Sequence, residues 1–72
     1  MPAHVTDHLT AREYSVLMCV ASGMSNKAIA RELQISVETT KCHVRSILSK
    51  FDAQNRTHAV AIALRLGLLT IF

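Results

Sequence analysis

The sequence predicts an all-α domain of four short helices. Three observations carry this. Val37, Thr40, Val44, Ile47, Leu48 and Phe51 recur at spacings of three and four, the mark of one buried helical face. Thr10, Ser25 and Ser36 stand as capping residues ahead of apolar stretches. No run alternates apolar and polar residues for long enough to argue a strand.

The elements follow in chain order. Met1 to Leu9 has no helical period and contains Pro2, so residues 1–8 are expected to be a flexible lead-in or linker remnant and 9–72 the domain. Thr10-Ala11-Arg12-Glu13 is a capping box, with Glu three residues after Thr. It opens a helix carrying Val16, Leu17, Val20 and Ala21 on one face, and Gly23 is placed to end it in the left-handed conformation. Ser25 caps a second helix with Ile29 and Leu33 as an apolar pair one turn apart. Gln34 and Ile35 make the next turn, with Ile35 expected in the core. Ser36 caps the third helix, whose other face carries Glu38, Lys41, Cys42, Arg45, Ser46 and Ser49. Asp52-Ala53-Gln54 breaks the chain again. A fourth helix is expected from about Asn55 to Leu66, with Gly67 as its stop.

Helices two and three, joined by a turn of a few residues, have the order of a helix-turn-helix, which presents its second helix to the DNA major groove. The matched residues extend further. Leu9-Thr10-x-Arg12-Glu13-x-x-Val16-Leu17 is followed by Gly23-x-Ser25-Asn26-Lys27-x-Ile29-Ala30. Leu33-x-Ile35-Ser36-x-x-Thr39-x-Lys41-x-His43-Val44 comes next, then Ile47-Leu48-x-Lys50-Phe51, Arg56-Thr57 and Ala59. In these positions the chain resembles the LuxR/FixJ-type (GerE-like) helix-turn-helix domain of bacterial transcription regulators, with the third helix as recognition helix. Three departures concern stability. Thr40 stands where the family usually has Val, so its hydroxyl needs a partner, such as the carbonyl one turn back. Asp52 stands where Gly is usual, in a left-handed stop that Asp tolerates at some cost. Phe51 replaces the common Leu.

Helix geometry and the resemblance agree on the base-reading positions, Lys41, Cys42 and Arg45. Arg45 is the best candidate for a bidentate contact to guanine, because its planar fork matches the two acceptors there. Lys41 can donate to guanine or phosphate, and Cys42 offers a small apolar contact or a weak thiol donor. Glu38 either accepts from cytosine or favours the helix dipole. Asn26, Lys27, Ser36, Thr39, His43, Lys50 and Arg56 are the candidates for phosphate, helped by amides at the helix starts. For Lys50 and Arg56 the alternative is a salt bridge with Glu13 or Glu32, since the resemblance implies that an acidic residue at position 13 ties helices together.

Helix four is apolar on more than one face. The resemblance implies a two-fold dimer through it, with Ala59, Ile62, Ala63 and Leu66 as the expected interface. The alternative is that the apolar tail, Leu66 to Phe72, folds back and covers the helix. The expected function is therefore a sequence-specific DNA-binding transcription regulator, or the C-terminal DNA-binding domain of one. Double-stranded DNA and a second copy are the expected partners, and RNA polymerase is a further candidate.

Composition agrees. Of 72 residues, half are hydrophobic, enough for one aliphatic core. The net charge of +3 is carried entirely between Met24 and His58, where Lys27, Arg31, Lys41, Arg45, Lys50 and Arg56 outweigh Glu32, Glu38 and Asp52. Cys19 and Cys42 lie outside any Cys-x-x-Cys spacing, and no signal-peptide pattern precedes them, so a reduced, cytoplasmic protein is expected. No apolar run has the length of a membrane span, and no membrane association is expected. His4 and His8 have no third ligand nearby, so neither metal nor cofactor is expected. No phosphate loop, carboxylate pair or nucleophile with a base is visible, so the chain is not expected to be an enzyme. Two other readings are weighed. Region 4 of a sigma factor uses a similar helix pair but is not expected to carry the apolar fourth helix. A module that sequesters a partner regulator through helix four would have no use for Lys41, Arg45 and Lys50.

Overall fold

The computed structural model describes residues 9–69. The expected lead-in, and with it His4 and His8, lies outside the described residues, as does the end of the apolar tail. Four helices follow one another: α1 (Ala11–Ala21), α2 (Asn26–Leu33), α3 (Val37–Phe51) and α4 (Arg56–Arg65). There is no strand among the described residues. α3 is the central element and packs on the other three, while α1 also touches α2 and α4.

Each helix starts where its capping residue dictates. The Thr10 hydroxyl accepts from the Glu13 amide at 3.0 Å, and Glu13 Oε1 accepts from the Thr10 amide at 2.9 Å, completing the capping box. Ser25, Ser36 and Asn55 accept from the amides of Ala28, Thr39 and His58. α1 ends before Gly23, at φ +85°. α2 and α3 end without glycine, on Gln34 (φ 59°) and Asp52 (φ 54°). Asp52 also sets a negative charge against the negative end of the α3 dipole. Asp52→Gly is therefore expected to raise stability by about 0.5–1 kcal/mol, the gain in the left-handed region exceeding the added freedom of the unfolded chain. Thermal unfolding of the two proteins checks this.

The core is aliphatic around one aromatic ring: Val16, Leu17, Ile29, Ile47, Phe51, Ala59, Ile62 and Ala63. Thr40 is fully buried among them. Its hydroxyl donates to the Ser36 carbonyl at 3.0 Å, the turn-back partner it requires. Ile35 departs from expectation, being half-buried and outside the core cluster. It follows a left-handed residue in the turn, where the backbone has left the helical line that would aim its side chain inward.

The fourth helix brings the principal correction. Ala59, Ile62 and Ala63, expected at a dimer interface, are 2, 5 and 0% exposed within the single chain. They form α4's packing face against the other helices, so a partner has no access to them. Leu66 is half-buried and also packs on the core. The outward side of α4 carries Thr57 and Ala61, exposed, flanked by Val60 and Leu64, half-buried. Beyond α4, Leu68 and Leu69 fold back onto the core, and the Tyr14 hydroxyl donates to the Leu68 carbonyl at 2.9 Å. The described part of the tail thus packs on the core and on α1, and it leaves Thr57 and Ala61 on the outward side of α4 exposed.

Candidate nucleic-acid interface

One side of α3 is spent on the core, which leaves Glu38, Lys41, Cys42, Arg45 and Ser49 exposed on the other. Lys41 and Glu38 form a loose surface pair at 3.8 Å, one turn apart, worth little in water. Arg45 Nη2 approaches Cys42 Sγ at 3.5 Å, a long contact across one turn. Lys41 and Arg45 are one turn apart on this exposed face, and the Cys42 sulfur lies against the Arg45 fork.

α2 and α3 both start on exposed capping serines, Ser25 and Ser36. Ser36 Oγ accepts from the Thr39 amide at 2.9 Å and donates to Thr39 Oγ1 at 2.8 Å. That leaves the Thr39 hydroxyl proton for an outside acceptor. Lys27 and Arg31, one turn apart on α2, are both exposed. Arg31 belongs to the basic segment, and its place beside Lys27 adds to the charge of this end of the domain. His43 is half-buried.

Two of the expected phosphate residues have partners inside the protein. Lys50 Nζ lies 2.7 Å from Glu13 Oε1. Among the described residues Arg56 pairs with no acid: Nη1 donates to Asn26 Oδ1 at 2.7 Å and Nη2 to the Met24 carbonyl at 2.6 Å. Glu13 is 5% exposed and is the hub of the α1–α3 junction. Ser46, expected on the solvent face, is half-buried and donates to Glu13 Oε2 at 2.5 Å. The sequence held a signal for this. Ser46 lies four residues before Lys50 and so shares its face. Burial alone would raise the Glu13 carboxyl. The hydrogen bonds from Lys50, Ser46 and the Thr10 amide, with the charge of Lys50, outweigh it and hold the group at about 2 instead of 4.5.

The described residues hold no cluster suited to a metal. Cys19 is half-buried, and burial, with Glu32 nearby, pushes its thiol up. It therefore stays protonated and unreactive. No helix among the described residues is long and apolar enough to cross a membrane.

A family model described as "Bacterial regulatory proteins, luxR family" matches residues 7–63. The chain is 42% identical over 67 residues to the response regulator protein VraR of Staphylococcus aureus (strain Mu3), covering 93% of this chain and 32% of that protein. VraR of Staphylococcus epidermidis matches with the same identity and coverage. The crystal structure of the response regulator ChrA in a heme-sensing two-component system superposes with a TM-score of 0.81 at 39% identity, covering 85% of this chain and 30% of that one. The chain thus spans about a third of the length of the curated relatives it matches.

Proposed function

The chain belongs to the luxR family of bacterial regulatory proteins, and from that premise we propose that its α3 enters the DNA major groove and reads sequence through Arg45 and Lys41. The family is one of DNA-binding transcription regulators, not of enzymes. One observation carries the finer reading. Among the described residues α3 keeps an exposed face bearing Lys41, Cys42 and Arg45, and the serines that cap α2 and α3 are exposed as well. Arg45 reads guanine by its fork, Lys41 assists, and Cys42 holds Arg45 and contributes a small apolar surface. Asn26, Lys27, Ser36, Thr39 and His43 then address phosphates. Lys50 stands at the edge of the same face, and its partner Glu13 makes it a structural residue as well.

The functional unit is residues 9–72. Two copies bind a two-fold symmetric site with half-sites about one helical turn apart. The outward residues of α4, Val60, Ala61 and Leu64, supply the contact between them, in place of the buried alanines. As a regulator of transcription it works in the cytoplasm, with RNA polymerase as the machinery it influences.

An electrophoretic shift with mixed-sequence duplex DNA at low salt tests the reading. A shift that weakens steeply as salt rises is expected. No shift under those conditions would favour a protein-interaction module instead.

A further inference from the structure

Arg56 is placed as a phosphate contact by its charge and position, yet its guanidinium is directed inward. Nη1 donates to Asn26 Oδ1 at 2.7 Å and Nη2 to the Met24 carbonyl at 2.6 Å. Both bonds are half-buried and join the first residue of α4 to the first residue of α2 and to the turn before it. A guanidinium has donors only. It therefore fixes the orientation of the Asn26 carboxamide, because only the oxygen can face Arg56. The nitrogen, with both of its N–H bonds, is left on the opposite side. Asn26 so held acts as a donor alone, at the start of a helix where Lys27 follows and the dipole is positive. An Asn free to rotate would present oxygen or nitrogen alike. One with its oxygen occupied suits an anion.

We infer that Arg56 is a positioning residue: it does not touch DNA, but locks the Asn26 carboxamide with its donors toward a backbone phosphate. This rests on the DNA-binding reading above and assigns Arg56 a different part in it. It also links α4 to the DNA-facing end of α2, because the residue that orients Asn26 is the first of α4.

The test is affinity for a mixed-sequence duplex over a range of salt, for the wild type, Arg56→Met, Asn26→Ala, the double variant and Asn26→Asp. Arg56→Met is expected to weaken binding about tenfold with the slope of log K against log salt unchanged. In the Asn26→Ala background the same change is expected to cost less than about twofold. Asn26→Asp offers Arg56 an ionic partner, so it keeps or raises the melting temperature. It nevertheless replaces the donors with a carboxylate and is expected to weaken binding by more than about tenfold. A purely structural role for the pair would leave folded Arg56→Met binding as the wild type does, and that result would overturn the inference. So would a slope reduced by about one unit in Arg56→Met, the sign that Arg56 itself neutralises a phosphate. If the wild type shows no binding, the DNA reading falls and this inference with it. Wild-type binding combined with either contrary result removes the inference alone.

Discussion

Arg45→Ala is expected to weaken binding to the preferred DNA site by about 1–3 kcal/mol and to relax base preference at one position of each half-site. The side chain is exposed, and among the described residues its hydrogen-bond partner is Cys42 Sγ, at a long 3.5 Å. Removing it opens no cavity and strands no buried group, so the melting temperature should hardly move. Loss of affinity without loss of stability is what separates a reading residue from a packing one. Arg45→Lys sharpens the test. It keeps the charge but loses the planar fork, so it should retain most binding to non-specific DNA while losing the base preference. Competition between the preferred duplex and a variant of it, for all three proteins, checks both points. Should Arg45→Ala keep both affinity and preference, α3 is docked wrongly here.

Glu13→Ala is expected to cost about 2–4 kcal/mol of folding stability, a large share of what a domain of this size possesses. Glu13 receives the Thr10 amide, the Ser46 hydroxyl and the Lys50 ammonium, at 2.9, 2.5 and 2.7 Å. Its loss removes half of the α1 capping box and the bonds that tie Ser46 and Lys50 of α3 to α1. The pH dependence has a definite sign. The carboxyl is depressed from 4.5 to about 2 in the folded protein. Its contribution is therefore fully present above the unfolded value and is lost as pH falls through the folded one. A shift of that size corresponds to roughly 3 kcal/mol. The stability difference between wild type and Glu13→Ala should thus be full at neutral pH and shrink as pH falls from 4.5 toward 2. Denaturant unfolding of both proteins across that range measures it. A difference independent of pH would mean that Glu13 acts by packing and not as a carboxylate.

Glu13 also bears on function, because Ser46 and Lys50 lie on α3. Through them α1 fixes the rotation of α3 about its axis. In the docking we propose, a small error in that rotation would move Arg45 away from the groove floor.

Much of this was legible in the sequence because the signals are local. Caps depend on residues three apart, and Thr10, Ser25 and Ser36 each cap as expected. The α3 face followed from spacing, and the Thr40 hydroxyl found the carbonyl one turn back. What sequence did not reveal depends on how helices meet. α4 is apolar on more than one side, and its period cannot tell which side faces inward. Ala59 and Ala63 suited a close helix contact, and they do make one, but with their own chain. The partners of Ser46 and Arg56 are hidden from the sequence for a related reason. A serine or arginine on a helix flank reads as solvent-facing unless its partner on another helix is known. Glu13 and Asn26 are those partners, 33 and 30 residues away along the chain.

The central claim is that the exposed face of α3, flanked by the starts of α2 and α3, is the DNA-binding surface. Titrating isotope-labelled protein with duplex DNA and following its amide resonances tests this residue by residue. The predicted result is that the largest shifts fall on Asn26, Lys27, Thr39, Lys41, Cys42 and Arg45, while Met18, Ala21 and Ala61 stay in place. Shifts confined to the outer faces of α1 and α4, with Lys41 to Arg45 unmoved, would contradict it.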